Sequence, residues 1–297
     1  MTSRSPLGEY LRARRELLRP EHVGLPDFGR RRVPGLRREE LALLAGISAD
    51  YYLRLEQGRD QHPSAQVLDA LAAALQLDAA AAAHLHELAR PAPRRRPPRR
   101  PERVPIGLAQ LVESWTETPA FVHGRHMDVL FANPLATALS PIYTAGVNLV
   151  RAIFLDPAVP ALFPDWDAVA ASTVAGLRPL IGADVDDPKL AELVGELSVR
   201  SGRFRQLWAR HDVRPRTGGG LRTLDHPQVG GLELRYEKLL VTGTGQSLVI
   251  YHAEPASPSA QSLRLLATLA VHERGTAVRE GGGGPERYSG SSPTGRP

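Results

Sequence analysis

Cysteine is absent from the 297-residue sequence, and its absence removes several classes of protein from consideration. Disulfide frameworks, thiolate nucleophiles and zinc fingers all need cysteine, and a chain without it is compatible with the cytoplasm, where we expect it to reside. The sequence also lacks any run of 18 or more apolar residues, and its first six residues lack the apolar stretch of a signal peptide. We therefore expect no membrane segment and no secretion signal.

Catalytic signatures are missing as well. The chain has no G-x-S-x-G elbow and no P-loop, and the pair Gly243 and Gly245 lacks the third glycine of a dinucleotide loop and instead predicts a hairpin turn. His123 and His126 lie three residues apart across a strand and a turn, which would direct them to opposite faces of a continuous strand. The sequence thus predicts no enzyme, no cofactor and no metal site.

Positive charge is concentrated in the first third of the chain. Residues 1–103 hold 19 arginines, no lysine and 13 acidic residues, a net charge of +6, whereas the remainder carries −1. The chain has only 2 lysines against 35 arginines, which can reflect coding base composition, so the position of the charge is more informative than the number of arginines. The asymmetry indicates a nucleic acid or acidic surface as partner for the first third only.

Proline and glycine divide the chain into domains. Residues 91–103 combine prolines with arginines and predict an extended linker between a domain at 1–90 and a second at 104–274. Residues 275–297 are rich in glycine, serine and proline and predict a disordered tail. The linker arginines favour a solubilising spacer, with weak nonspecific attraction to DNA as the alternative.

The first domain has the pattern of an all-α fold with two short helices joined by a tight turn. Apolar residues at helical spacing predict helices at 7–18, 37–45, 48–57, 65–75 and 79–88. Gly46 permits a left-handed backbone between the second and third of these, and Ser48 is a suitable cap for the third. This is the helix-turn-helix arrangement, whose second helix enters the major groove of DNA.

The motif that runs Glu40-Leu-Ala, Ala45-Gly-Ile-Ser, Tyr52 and Leu55-Glu-Gln-Gly resembles the Cro/C1-like class of the xenobiotic-response-element family of bacterial regulators. The resemblance implies that Arg38 contacts phosphate, that Ala49, Asp50 and Arg54 read base edges, and that Glu56 makes internal hydrogen bonds. The full set of candidate DNA-binding residues is Arg31, Arg32, Arg37, Arg38, Ser48, Ala49, Asp50, Tyr51, Arg54 and Arg59.

Two of these assignments have alternatives. Arg54 can donate two hydrogen bonds to guanine, but Asp50 either accepts from cytosine or stabilises the helix N-terminus through the helix dipole. The cluster Arg30 to Arg32, which includes the candidates Arg31 and Arg32, is either an arm for phosphates or the minor groove or a solvated loop.

The second domain has a mixed pattern. Helices are predicted at 106–116, 147–154, 165–181, 188–211 with an interruption near Ser201, and 258–272, and strands at 119–122, 129–132, 221–224, 232–237 and 248–253. All tryptophans, and all phenylalanines except Phe28, lie in this domain. Most of these side chains are expected to form core, and some to surround an apolar ligand.

The segments Pro119-Ala-Phe-Val, Ala132-Asn, Leu207-Trp-Ala and His211-Asp-Val resemble the ligand-binding domain of MmyB-like transcription regulators. The resemblance implies an α+β, PAS-like domain with an antiparallel sheet that accommodates a fatty-acid-like or other apolar small molecule. Our candidate ligand contacts are Phe121, Phe131, Asn133, Phe204, Arg205, Trp208 and His211.

Together these patterns predict a sequence-specific DNA-binding regulator, a homodimer on a palindromic or pseudo-palindromic operator, with a ligand-sensing second domain. The first alternative is a second domain that serves protein interaction or dimerisation without a ligand. An enzyme fused to the DNA-binding domain is the second alternative.

Overall fold

The computed structural model describes residues 5–25, 35–60, 62–90, 102–179, 187–214 and 218–280, with side chains as far as residue 272. The predicted arginine cluster with Arg31 and Arg32 lies outside these residues, as do nearly all of the predicted linker and residues 281–297 of the predicted tail.

Five helices lie in the described part of the N-terminal region. Serine or aspartate caps four of them, because the side-chain oxygens of Ser5, Ser48, Ser64 and Asp78 accept hydrogen bonds from backbone N–H groups of the first turn. The helices are α1 (Pro6–Leu17), α2 (Arg38–Leu44), α3 (Ala49–Glu56), α4 (Ala65–Ala74) and α5 (Ala79–Leu88), with a 3-10 turn at Pro20–Val23.

The apolar faces of these helices meet in one core. Tyr10 of α1 and Tyr52 of α3 are fully buried in it, and leucines from all five helices or the turns beside them surround these rings. Glycine is needed where α1 crosses α3, because a Cβ atom on Gly8 would lie 2.4 Å from the carbonyl oxygen of Glu56. This close approach fixes the position of α3.

The C-terminal region contains a five-stranded antiparallel sheet in the order β2-β1-β5-β4-β3. The strands are β1 (Ala120–His123), β2 (Val129–Ala132), β3 (Gly218–His226), β4 (Gly230–Val241) and β5 (Gln246–His252). The predicted α+β architecture is confirmed, and the C-terminal strands are longer than the apolar alternation alone indicates.

Helices of this region precede, connect and follow the strands. They are α6 (Ile106–Glu113), α7 (Pro134–Leu139), α8 (Leu149–Leu155), α9 (Val159–Leu162), α10 (Trp166–Leu177), α11 (Pro188–Arg200), α12 (Gly202–Ala209) and α13 (Pro258–Glu280). The predicted interruption falls at Ser201, which ends α11 and caps α12. The last helix, α13, continues to Glu280, past the predicted end of the second domain at residue 274.

A large apolar core joins the sheet to the helices that cover it. Phe163, Phe204, Leu139 and Leu266 are among its almost fully buried members. None of the helices in the described part of the chain is long and apolar enough to cross a membrane.

Candidate DNA interface and ligand cavity

The second helix of the helix-turn-helix motif, α3, is held by its turn and by its inward face. Gly46 adopts a left-handed backbone with φ of +65°, and the N–H of Ile47 donates to the carbonyl oxygen of Ala42 at 3.0 Å. Tyr52 and Leu55 are completely buried. The outer face of α3 is therefore fixed by local sequence signals and by the core beneath it.

The predicted base-reading residues share that outer face. Ala49, Asp50 and Arg54 are exposed, and Tyr51 is half-buried beside them. Arg54 forms an ion pair with Asp50 one turn earlier, and its guanidinium lies 5.6 Å from the centre of the Tyr51 ring. Asp50 thus orients Arg54. This pairing differs from both roles predicted for Asp50, which were a contact to cytosine and stabilisation of the helix N-terminus.

Other predicted DNA-binding residues lie at the borders of the same surface. The Ser48 hydroxyl accepts from the N–H of Tyr51 at 3.1 Å and so caps α3. Arg37 precedes α2 and its backbone N–H donates to the Glu40 carboxylate at 2.7 Å, while the exposed Arg59 follows α3.

Glu56 links α3 to the two preceding helices of the domain. Its carboxylate accepts from Arg15 of α1 and Arg38 of α2, both at 2.7 Å, and its side chain is 3% exposed. Burial alone would raise the pKa of Glu56, but the hydrogen bonds from the two arginines outweigh burial and lower it. Arg38 therefore has a structural partner in addition to its predicted phosphate contact, and its side chain remains 45% exposed.

A cavity of about 400 Å³ lies in the C-terminal region between the sheet and helices α8 and α10. Most of its wall is apolar or aromatic. The lining comes from all strands except β2 and includes Phe121, Met127, Ile142, Tyr143, Leu149, Ile153, Phe163, Val169, Val249 and Tyr251.

Basic residues also line this cavity. Arg214, Arg222 of β3 and Lys238 of β4 contribute to its wall, together with the hydroxyl-bearing Ser172 and Thr173 of α10. Arg222 also lies 5.3 Å from the centre of the Tyr236 ring. An apolar space with positive charge at its wall suits a molecule that has a hydrocarbon body and an anionic group.

Two tyrosines add polar atoms to the cavity wall. The hydroxyl oxygens of Tyr143 and Tyr251 are 2.9 Å apart, and Phe121 stacks on Tyr143 with ring centres 4.4 Å apart. Burial raises the pKa of both tyrosines, so both hydroxyls keep their protons at neutral pH. One of the two hydroxyls donates to the other, and the second has a proton to offer elsewhere.

Of the seven predicted ligand contacts, Phe121 lines this cavity and the other six do not. Phe204 and Trp208 stack on each other, Phe131 packs in a small cluster with Val122, and Arg205 donates to the carbonyl oxygen of Ser198 at 2.8 Å. Of the remaining two, Asn133 caps α7, and the ring of His211 lies 6.1 Å from that of Tyr10.

The sequence reasoning overlooked the basic part of the cavity wall. Its signal is the alternation of β4, where Leu232, Leu234 and Tyr236 face inward and Lys238 continues the same face. A basic residue at an inward position of an otherwise apolar strand face indicates a buried anionic partner.

Family comparisons agree with both parts of this geometry. A model of a helix-turn-helix domain matches residues 6–85, and a model of the MmyB-like transcription regulator ligand binding domain matches residues 104–266. The two matches define a transcription regulator in which a DNA-binding domain precedes a ligand-binding domain. Because the second match covers more than half of the chain, the chain belongs to the MmyB-like transcription regulators. A search of curated proteins found no match.

Proposed function

We propose that the chain is a cytoplasmic transcription regulator that binds a specific DNA sequence through α3 and senses an apolar molecule with an anionic group, of which a fatty acid is the simplest. The observation that carries the ligand class is the apolar cavity with Arg214, Arg222 and Lys238 in its wall. A homodimer on a palindromic operator remains part of the proposal, because two copies of α3 would then contact successive major grooves.

For the DNA-binding half, we expect Arg54→Ala to relax the preference for particular bases. Arg59→Ala should weaken binding to all DNA sequences by a similar factor. Arg54 lies on the exposed face of α3, where a bidentate contact to guanine contributes about 1–3 kcal/mol of discrimination. The measurement is selection of bound DNA from a random pool, followed by titrations at several salt concentrations. Arg12→Ala is the matched control, because Arg12 is exposed on α1 and pairs with Glu16 of the same helix at 2.8 Å. Selection of no preferred sequence by the wild-type chain would contradict the proposal.

For the ligand-binding half, we expect the wild-type chain to bind dodecanoate more tightly than dodecanol, which has the same number of carbon atoms and no charge. Arg222→Gln and Lys238→Gln should each lower the affinity for dodecanoate about tenfold, since each removes a charge-assisted hydrogen bond. The affinity for dodecanol should stay unchanged. Calorimetric titration measures both ligands.

Arg235→Gln is the control for these variants, because Arg235 lies on the same strand as Lys238 but is exposed on the opposite face, near Glu254 at 3.6 Å. Equal affinity for dodecanol and dodecanoate would refute an anionic ligand. Failure of both to bind would favour the alternative in which the second domain is an interaction module.

A further inference from the structure

The two halves of the chain meet at a short segment that follows α12. His211 lies against Tyr10 of α1 with ring centres 6.1 Å apart, and Val213 packs against the core of the first domain. Asp212 accepts a hydrogen bond from Arg14 of α1 at 2.8 Å. Three successive residues of the ligand-binding region therefore contact the DNA-binding region.

Arg178 lies behind the same contact. It caps the C-terminal end of α10, is 3% exposed, and stacks its guanidinium 3.7 Å above the centre of the Trp208 ring. It also donates to the carbonyl oxygen of Trp208, while its Nε has no hydrogen-bond partner among the described residues. Its charge interacts with Glu9 and Tyr10 of α1, so Arg178 acts on both halves of the chain.

Burial lowers the pKa of Arg178 to about 10, and the imidazoles near it add no positive charge. Burial, together with the charge of Arg178, lowers the pKa of His84 on α5 to about 4 and that of His211 to about 3. Both imidazoles are uncharged at neutral pH and do not repel the guanidinium. His211 also adopts a left-handed backbone with φ of +53°, which a non-glycine residue keeps only when its surroundings fix it.

Both parts of this contact continue directly into the ligand cavity. Arg178 terminates the helix whose residues Ser172, Thr173 and Gly176 line the cavity. Arg214 follows Val213 and also lines the cavity, and its backbone N–H donates to the carbonyl oxygen of Ala175 at 3.0 Å. A displacement of α10 by a ligand would therefore move residues that touch α1.

We propose that Arg178 and residues 211–214 form an interdomain joint that transmits occupancy of the cavity to the DNA-binding domain. The joint contacts α1 and acts electrostatically on His84 of α5, while Ala49, Asp50 and Arg54 on the outer face of α3 stay exposed. It thus sets the position of the DNA-binding domain without covering its DNA surface. The inference rests on the proposed function, since it assigns a route to the same ligand site.

The test breaks the joint with Arg14→Gln and with Asp212→Asn. Wild-type protein should change its affinity for its selected DNA fragment at least about fivefold when dodecanoate is added, the lower end of typical allosteric coupling. Both variants should bind dodecanoate as the wild type does, yet show a DNA response below about twofold. Arg12→Gln, which breaks an ion pair within α1, should retain the full response. A full response in the Arg14 and Asp212 variants would overturn the joint and leave the proposed function standing.

A second experiment tests the interdomain joint without a ligand. A Cβ atom on Gly176 would meet nothing nearer than the Met127 side chain at 3.5 Å, so Gly176→Leu fills part of the cavity two residues before Arg178. Because the added side chain occupies the cavity as a ligand would, hydrogen exchange of α1 and α5 in the full chain should change about fivefold, the same size as the expected DNA response. Ser172→Leu, one turn earlier, is a second filling variant.

If exchange changes around the cavity but not in α1 and α5, the joint is refuted. If dodecanoate does not change the DNA affinity but both filling variants change hydrogen exchange in α1 and α5, the interdomain joint is supported and the proposed ligand class is refuted.

Discussion

Glu56→Ala is expected to destabilise the DNA-binding domain by about 3–5 kcal/mol, because it removes the carboxylate that is hydrogen-bonded to the buried Arg15 and leaves the longer ion pair with Glu16 at 3.7 Å. The Arg15 side chain is 6% exposed, and its Nε donates to Glu56 at 2.7 Å. That loss is a large fraction of the stability of a small domain, so specific DNA binding should fall with it. Urea unfolding followed by a signal from the first domain measures the effect.

Glu87→Ala is the matched control for Glu56. Glu87 also pairs with an arginine, Arg90, but both side chains are about half exposed or more, so the variant should lose less than about 1 kcal/mol. An equally small loss in Glu56→Ala would show that the domain does not depend on the buried carboxylate.

The same carboxylate predicts an acid sensitivity. The pKa of Glu56 is lowered from 4.5 in the folded chain, so its contribution is complete above pH 4.5 and is lost as the pH falls through the folded value. Wild-type protein should therefore lose stability in this range more steeply than Glu56→Gln, whose side chain does not titrate.

The DNA-binding half could be predicted closely because its signals are local. Gly46, Ser48 and Gly58 determine the turn and both ends of α3 within a dozen residues, and Tyr52 and Leu55 determine its buried face. No distant contact is needed to recognise such a motif. The ion pair between Asp50 and Arg54 is also local, because the two residues are four positions apart on one helix.

The ligand cavity could not be predicted from local signals. Tyr143 and Tyr251 share a hydrogen bond although 108 positions separate them, and Arg214 reaches the wall from a segment between α12 and β3. Residue type alone did not distinguish core residues from residues of the cavity wall. Phe121 and Phe204 are both almost completely buried, but of the two Phe121 alone lines the cavity. The pairing of the strands in the sheet carries information on the cavity wall that residue type and composition do not.

Asn133 illustrates how one residue supports two interpretations. The pair Asn133 and Pro134 signals the start of a helix, and a polar side chain among apolar strands also suits a ligand contact. In the structure Asn133 caps α7, is fully buried and lies away from the cavity. Its Nδ2 donates to the carbonyl oxygens of Val112, Trp115 and Thr118, and its Oδ1 accepts from the N–H groups of Ala120 and Ala136.

Asn133→Ala should therefore destabilise the ligand-binding domain by about 3–5 kcal/mol, since each buried backbone group left without a partner costs about 1–3 kcal/mol. Asn133→Asp should be at least as harmful, because a carboxylate keeps the acceptor of the cap but places negative charge against three carbonyl oxygens. Thermal unfolding of the full chain measures both variants.

The control for Asn133 is Ser257→Ala, which removes a cap whose hydroxyl accepts from the N–H of Ala260 at 3.1 Å and should cost about 1 kcal/mol. A ligand contact would behave differently from a structural residue: Asn133→Ala would keep its unfolding temperature and lose only affinity for dodecanoate. That pattern would show that Asn133 is a ligand contact. A large loss of stability in Asn133→Ala and Asn133→Asp, beside a small loss in Ser257→Ala, would instead assign the residue to holding α6, the start of β1 and α7 together at the sheet edge formed by β2.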